Sequence, residues 1–297
     1  MEQTPFRIEL LSSNVKGNKR KEILAGLASG DIDIIVGTHA LIQNDVIFNA
    51  LTLVITDEQH RFGVEQRAKL ANKSEFSPDV LVMTATPIPR TLALTVYGDL
   101  DVSVMRGMPP GRKPIETLCF TNEKRLEIYA GMLREVKKGH QAYVVCPLIE
   151  ESEAFDVNSA TEVYEELSNG YLHGVSCGLL HGRMKESEKE KVMQGFVNGS
   201  IDVLVATTVI EVGVNVPNAS LMVIEGADRF GLAQMHQLRG RVGRGNNQSY
   251  CVLLTDSDKP ETLARLKIMH DCSDGFVLAE KDLELRGAGQ LFGMKQH

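Results

Sequence analysis

Eight short apolar runs, most of them rich in β-branched residues, punctuate the sequence: IDIIVG (32–37), LTLVIT (51–56), VLVMTA (80–85), AYVVCPLI (142–149), VSCGLL (175–180), DVLVATT (202–208), SLMVIE (220–225) and SYCVLLT (249–255). A strand that is apolar at successive positions has to be covered on both faces, and helices alternating with parallel strands supply that cover. The pattern predicts two α/β layers. RGMPPGRKPIET (106–117) packs three prolines and two glycines into twelve residues, the composition of a linker, and the domain boundary is placed there. Beyond Thr255, KPETLARLKIMHD (259–271) reads as a helix with a proline in its first turn. The glycine-dense ELRGAGQLFG (284–293) follows it, and together they make a small third element.

At 297 residues there is room for two domains, and a hydrophobic fraction of 43% is enough to give each a core. The opening MEQTPFRIELLSS has no basic segment followed by an apolar run, and nowhere do eighteen uncharged apolar residues follow one another. Secretion and membrane insertion are therefore disfavoured, and a soluble globular protein is expected. The five cysteines, Cys119, Cys146, Cys177, Cys251 and Cys272, lie far apart with no CxxC pair, against a disulfide framework or a zinc ribbon. A reducing cytoplasm fits them best. The net charge of −7 gives no global attraction to nucleic acid, but phosphate binding needs only a local basic surface and a few backbone amides.

VITDEQHRFGVEQR (54–67) runs an apolar strand straight into Asp57 and Glu58. Adjacent carboxylates repel and lose hydration together, so their natural company is a metal ion or a proton in transit. The carboxyl end of a strand is also where α/β sheets place ligands. In a nucleotide-hydrolysing site the first acid holds Mg²⁺ and the second orients or deprotonates the attacking water; a solvated acidic pair ending a strand is the alternative, equally weighted on position alone. MTATPIPR (83–90) ends another strand in Thr84 and Thr86, hydroxyls suited to a relay between a nucleotide site and a neighbouring surface, or to a plain proline-rich turn. VATTVIEVGVNVPNA (205–219) holds a Thr-Thr step and a glycine-containing loop with Asn215, which can face phosphate or ribose oxygens or simply leave a strand. QLRGRVGRG (237–245) spaces Arg239, Arg241 and Arg244 with three glycines, more than an exposed basic helix would need. Guanidinium forks match phosphate geometry, and an arginine on a transferring phosphoryl group is worth roughly 10³ to 10⁵ in rate.

Taken in order, VGTHALI (36–42), DEQH (57–60), TATPIPRT (84–91), the VIEVGV loop and QLRGRVGRG resemble the successive motifs of superfamily 2 helicases. DEQHRFGVEQR, FGLAQMHQLRGRVGRG and DGFVLAEKDLELRGAGQLFG are similar to RecG-type ATP-dependent DNA helicases, and the resemblance covers essentially the whole chain. It implies two RecA-like parallel-sheet lobes, the first partial, with a small helical-hairpin and loop tail. The expected limits are 1–110 for the latter part of lobe 1, 111–256 for lobe 2, and 257–297 for the start of the hairpin and translocation loop. The cofactors implied are ATP and Mg²⁺, with Asp57 holding the metal, Glu58 activating water, and Gln59 and His60 coupling the site to the second lobe and DNA. Arg241 and Arg244 are implied as arginine fingers, with Gln237, Gly213 and Asn215 at the nucleotide. Asn215 stands where many superfamily 2 helicases have aspartate, and its amide can still bond a ribose hydroxyl. Thr38, His39, Thr84, Thr86, Thr207, Thr208, Arg265, Arg286 and Gln296 are implied in DNA binding or coupling; Arg286 could also anchor the hairpin to the second lobe. The partners implied are double-stranded and branched DNA such as stalled forks and Holliday junctions, and a single-strand binding protein, for a cytoplasmic monomer with no membrane partner.

The chain has no GxxxxGK[ST] and no Gly-Lys dipeptide, so the phosphate-cradling loop is missing, as is the family's wedge domain for branched DNA. The expectation is the carboxyl-terminal part of the motor, inactive in ATP turnover by itself. Two other readings stand beside it. One is a fragment of the transcription-repair coupling translocase, which resembles this chain in FGLAQ and the arginine cluster but usually carries Glu where Gln59 stands. The other is a non-catalytic DNA-binding motor remnant.

Overall fold

The computed structural model describes residues 5–57, 78–84, 101–105, 107, 111–147, 153–207 and 215–286, with backbone alone for 153–158 and Arg286. The chain divides into two compact units, Met1–Ala85 and Thr86–His297.

In the first unit, β1 (Ile8–Leu11) pairs in parallel with β2 (Ile34–Gly37), and β3 (Leu53–Thr56) with β4 (Asp79–Val82). Helix α1 (Gly17–Ser29) connects the first pair and turns Ile23 and Leu27 inward against Leu11, Ile32, Ala40 and Val46. The runs expected at 32–37, 51–56 and 80–85 correspond to β2, β3 and β4. The strand β1 was not expected, since IELL is short and its partner lies 26 residues further on.

The second unit is built from β5 (Glu116–Thr121), α2 (Arg125–Lys137), β6 (Gln141–Val145), α3 (Glu153–Glu166), β7 (Cys177–Leu180), α4 (Glu186–Val197), β8 (Val203–Ala206), β9 (Ala219–Ile224), α5 (Leu232–Arg239), β10 (Tyr250–Thr255), α6 (Pro260–Asp271) and α7 (Gly275–Arg286). Its six strands form one parallel sheet in the order β5-β10-β9-β6-β8-β7. Every residue of β6, β8 and β9 is buried. Successive side chains go to opposite faces: Tyr143 and Val145 join Phe196, Leu204, Met222 and Leu238 on one side, whereas Ala142, Val144 and Cys146 join Tyr129, Met132, Leu167 and Val223 on the other. Double-sided burial is why these strands read as continuous apolar runs.

Strand β5 corrects the expected extent of the linker, because Glu116 and Thr117 pair with Tyr250 and Cys251 of β10. It is an edge strand with polar residues at both ends, ETLCFT, and so carries none of the apolar density of the centre. Helix α6 has its proline in the first turn, as the sequence suggests. Helix α7 follows it and adds Leu278 to the same core as Leu232 and Met235 of α5. No helix among the described residues is long and apolar enough to cross a membrane.

One polar cluster is buried where β9 ends. Tyr129 donates its hydroxyl hydrogen to Glu225 at 2.5 Å, and Arg125 donates Nε–H to Tyr129 at 2.8 Å while its other arm pairs with Glu166 at 3.1 Å. Burial, and then the Glu225 carboxylate, push the Tyr129 phenol well up, so it remains a donor. The cluster ties the ends of α2, α3 and β9 together. Replacing Tyr129→Phe leaves a carboxylate that is 7% exposed without its shortest bond. We expect a loss of about 1–3 kcal/mol in the urea unfolding free energy; an unchanged midpoint would mean that Glu225 does not depend on this donor.

Candidate functional site

Parallel strands put all their carboxyl ends on one edge of a sheet, and the first unit uses that edge. Asp57 follows β3 directly and is exposed. Thr84 lies two residues beyond β4, which is in register with β3 through Thr56 and Val82, and Met83 N–H donates to the Thr56 carbonyl at 2.8 Å. Asp57 and Thr84 thus share one edge. Thr38 and His39 leave the carboxyl end of β2, both exposed, at the start of a tight turn that buries Ala40. An exposed carboxylate at such an edge suits Mg²⁺, which takes one or two protein carboxylates and fills its remaining positions with water and phosphate oxygens. Glu58, Gln59, His60, Thr86, Thr208, Gly213 and Gln296 lie outside the described residues.

In the second unit the expected residues divide between opposite edges of the sheet. Thr207 follows β8 at the carboxyl edge, with its N–H donated to the Leu180 carbonyl at 3.1 Å. The residue is 1% exposed, and its hydroxyl has no hydrogen-bond partner among the described residues. His181, at the end of the neighbouring β7, has a buried Nδ1 in the same condition. Burial, then the Arg183 and Lys189 charges, lower the His181 pKa, with Glu188 opposing them. Sequence reasoning passed over His181 because a histidine after a strand carries no signal of its own; the pairing of β7 with β8 through Leu180 and Ala206 puts it at the same edge as Thr207, and among the described residues neither its Nδ1 nor the Thr207 hydroxyl has a partner.

The arginine-bearing segment lies at the amino edge, where the chain returns to begin β10. Gln237 is in the last turn of α5, and Arg241 and Arg244 are half-buried in the loop that follows. Arg244 donates Nε–H to the Gly240 carbonyl at 3.1 Å, which closes the loop on itself. Burial lowers the pKa of Arg244 first, then Arg241 and Arg112 do so as neighbouring cations. Burial pushes the Tyr143 phenol up to about 12, against the pull of Arg241 and Arg244. Gly245 approaches the turn before β9 so closely that a Cβ there would stand 2.4 Å from the Pro217 carbonyl oxygen. The loop is thereby pressed against the segment that carries Asn215, which is exposed.

Arg239 behaves differently from the other two arginines. It is 4% exposed and donates from Nη1 to Thr117 Oγ1 at 3.2 Å and to the Met269 and Cys272 carbonyls at 3.0 Å each. From Nη2 it donates to His236 Nδ1 at 3.1 Å and to the Ser273 carbonyl at 3.4 Å. It therefore caps the carboxyl end of α6 and fixes α5 to it. Arg265 donates to the Asp228 carbonyl and so fastens the same helix to the turn before α5. Arg286 ends α7.

Comparison with known proteins covers both units. Residues 2–95 match the DEAD/DEAH box helicase family and residues 123–246 the helicase conserved C-terminal domain. Over 295 residues the chain is 57% identical to the ATP-dependent DNA helicase RecG of Bacillus subtilis, covering 99% of this chain and 43% of that protein. The chain is thus similar to RecG-type helicases along essentially its whole length. The RecG of Streptococcus pneumoniae is 52% identical over 98% of this chain and 43% of its own length. A solved structure of RecG bound to a three-way DNA junction superposes with a TM-score of 0.80 at 46% identity, covering 98% of this chain and 37% of that one. The chain thus spans less than half the length of these relatives. Saccharomyces cerevisiae Dbp5 bound to RNA and ADP BeF3, at 14% identity and a TM-score of 0.62 over 96% of this chain and 75% of that one, shares the fold alone. The two parallel-sheet units are RecA-like.

The contact between Arg239 and His236 generates a pH prediction. Burial, then the Arg239 charge, lower His236 from an ordinary 6.5 to about 4, with Asp274 opposing them. The folded chain keeps the ring neutral down to about pH 4, whereas the unfolded chain takes up its proton near 6.5. The stability held above 6.5 is therefore lost as the pH falls towards about 4. Urea midpoints across that window should fall for the wild type and fall less for His236→Gln. Equal slopes would place the linkage on another group.

Proposed function

We propose that the chain is part of the motor of an ATP-dependent DNA helicase or translocase that remodels branched DNA, such as stalled forks and Holliday junctions, in recombination and repair. The observation that carries this reading is the loop after α5, which holds Arg244 by its Nε–H with Arg241 and Arg112 as cationic neighbours. The likeness to RecG proteins, one of them solved on a three-way DNA junction, supports it. Limits of 1–110, 111–256 and 257–297 are proposed for the two lobes and the tail.

Bound Mg-ATP supplies a phosphoryl group for in-line transfer to water. Asp57 would hold the Mg²⁺ ion, and Glu58 would take the proton of the attacking water. Arg241 and Arg244 would balance charge that grows on the phosphate oxygens, most strongly in the transition state. Gln237, Gly213 and Asn215 would orient the nucleotide. Gln59 and His60 would pass the state of that site to the DNA-facing residues. Thr38, His39, Thr84, Thr86, Thr207 and Thr208 would meet the sugar-phosphate backbone, and Arg265, Arg286 and Gln296 would couple the tail to it. For Thr207 the support is a buried hydroxyl with no hydrogen-bond partner among the described residues. A single-strand binding protein is proposed as a further partner, and the five free cysteines support a cytoplasmic setting for the monomer.

Without a phosphate-cradling loop, this chain is proposed not to turn over ATP alone. ATP hydrolysis by the purified chain, with and without forked DNA and with Glu58→Gln as the blank, tests this. We expect no turnover above the blank; turnover that Glu58→Gln abolishes would require nucleotide to be held without the usual loop. DNA binding should weaken with salt by a slope of about 0.9 per phosphate contacted. A flat salt response would contradict contact with the DNA backbone.

A further inference from the structure

Arg112 belongs to the proline- and glycine-rich segment that reads as a linker, yet the structure lays that segment along the arginine loop. Gln248 Nε2 donates to the Pro114 carbonyl at 3.0 Å, and Glu116 N–H donates to the Ser249 carbonyl at 3.0 Å. Ile115 occupies the space that a Cβ on Gly243 would enter, with 2.8 Å between them. These contacts hold residues 114–116, which begin two positions beyond Arg112, against residues 243–249. The side chain is half-buried. It is close enough to Arg244 for the two charges to oppose each other, and Arg241 adds a third. Among the described residues neither Arg112 nor Arg244 is ion-paired with an acid. Guanidinium groups gathered from two separate segments repel one another unless an anion joins them, and planar forks of this kind fit phosphate oxygens two at a time.

We propose that Arg112 is a third guanidinium of the site formed by Arg241 and Arg244, and that the three together receive the phosphate tail of a nucleoside triphosphate. The proposal rests on the reading of Arg241 and Arg244 as nucleotide-facing. It adds a contact from the segment leading into β5, which the helicase motifs do not include. Phosphate oxygens are common to nucleotide and DNA, and the loop's contact with the segment bearing Asn215, a residue suited to ribose, favours the nucleotide.

Calorimetric titration of the purified chain at low ionic strength with sodium tripolyphosphate, and separately with a short DNA duplex, tests it. Tripolyphosphate should bind saturably, and Arg112→Gln should weaken it by about tenfold, the loss of one charge-assisted bond. Arg112→Lys should fall between, and Lys113→Gln, at the exposed neighbouring position, should match the wild type. Thermal unfolding of each variant establishes that the fold is retained. If Arg244→Gln weakens binding and Arg112→Gln does not, the inference fails while the arginine-loop reading stands. No saturable binding by the wild type, or no effect of either variant, removes the phosphate site; the Glu58→Gln hydrolysis test judges the helicase reading separately. Weakening of duplex binding alone would assign Arg112 to DNA and overturn the nucleotide assignment.

Discussion

Burial of β6, β8 and β9 on both faces leaves no side chain in the middle of the larger sheet able to meet a ligand. All chemistry is thereby exported to the edges, where loops leave and re-enter the strands. Because the strands are parallel, the two edges differ in kind. The carboxyl edge collects residues that have just left a strand, such as His181 and Thr207, and the amino edge collects residues about to enter one, such as those of the arginine loop. The sheet works as an insulating slab that keeps these two sets apart while holding each in register.

The arginines of one nine-residue segment are sorted by what lies beneath them. Arg239 ends a helix whose carboxyl end abuts that of α6, so its guanidinium is absorbed by backbone carbonyls with no freedom left for a ligand. Arg241 and Arg244 fall after the helix, on a loop that closes through the Gly240 carbonyl, and stay partly open to solvent. The same residue type serves as a structural clamp at one position and as a cationic surface two and five positions later. Composition cannot separate these roles, but packing does.

The centre of the fold was legible because double-sided burial writes itself as unbroken apolar runs. Strands β6, β8 and β9 fall within such runs, and the run 51–56 places Asp57 at a strand end. The edges were less legible. Strand β5 has one strand partner and needs no continuous apolar run, so ETLCFT was absorbed into the linker before it. Arg239 was hidden for another reason: an arginine reads as exposed, and its carbonyl partners lie 30 to 34 residues away, where nothing in the sequence announces an acceptor. Arg112 was hidden by its neighbours, since prolines and glycines suggest a passive connector. Only the bonds from Gln248 to Pro114 and from Glu116 to Ser249 reveal that the connector is sewn down.

The glycines of the arginine loop carry a consequence for how it moves. Gly243, at φ +71°, faces Ile115, and Gly245 faces the Pro217 carbonyl, each at a separation that admits no side chain. Glycine here marks where the loop packs against the Ile115 side chain on one segment and the Pro217 backbone on another, and these neighbours limit the torsional freedom that glycine would otherwise have. The loop resembles a seam more than a hinge. Stiffness, which usually comes from bulky side chains filling space, comes in this case from leaving them out.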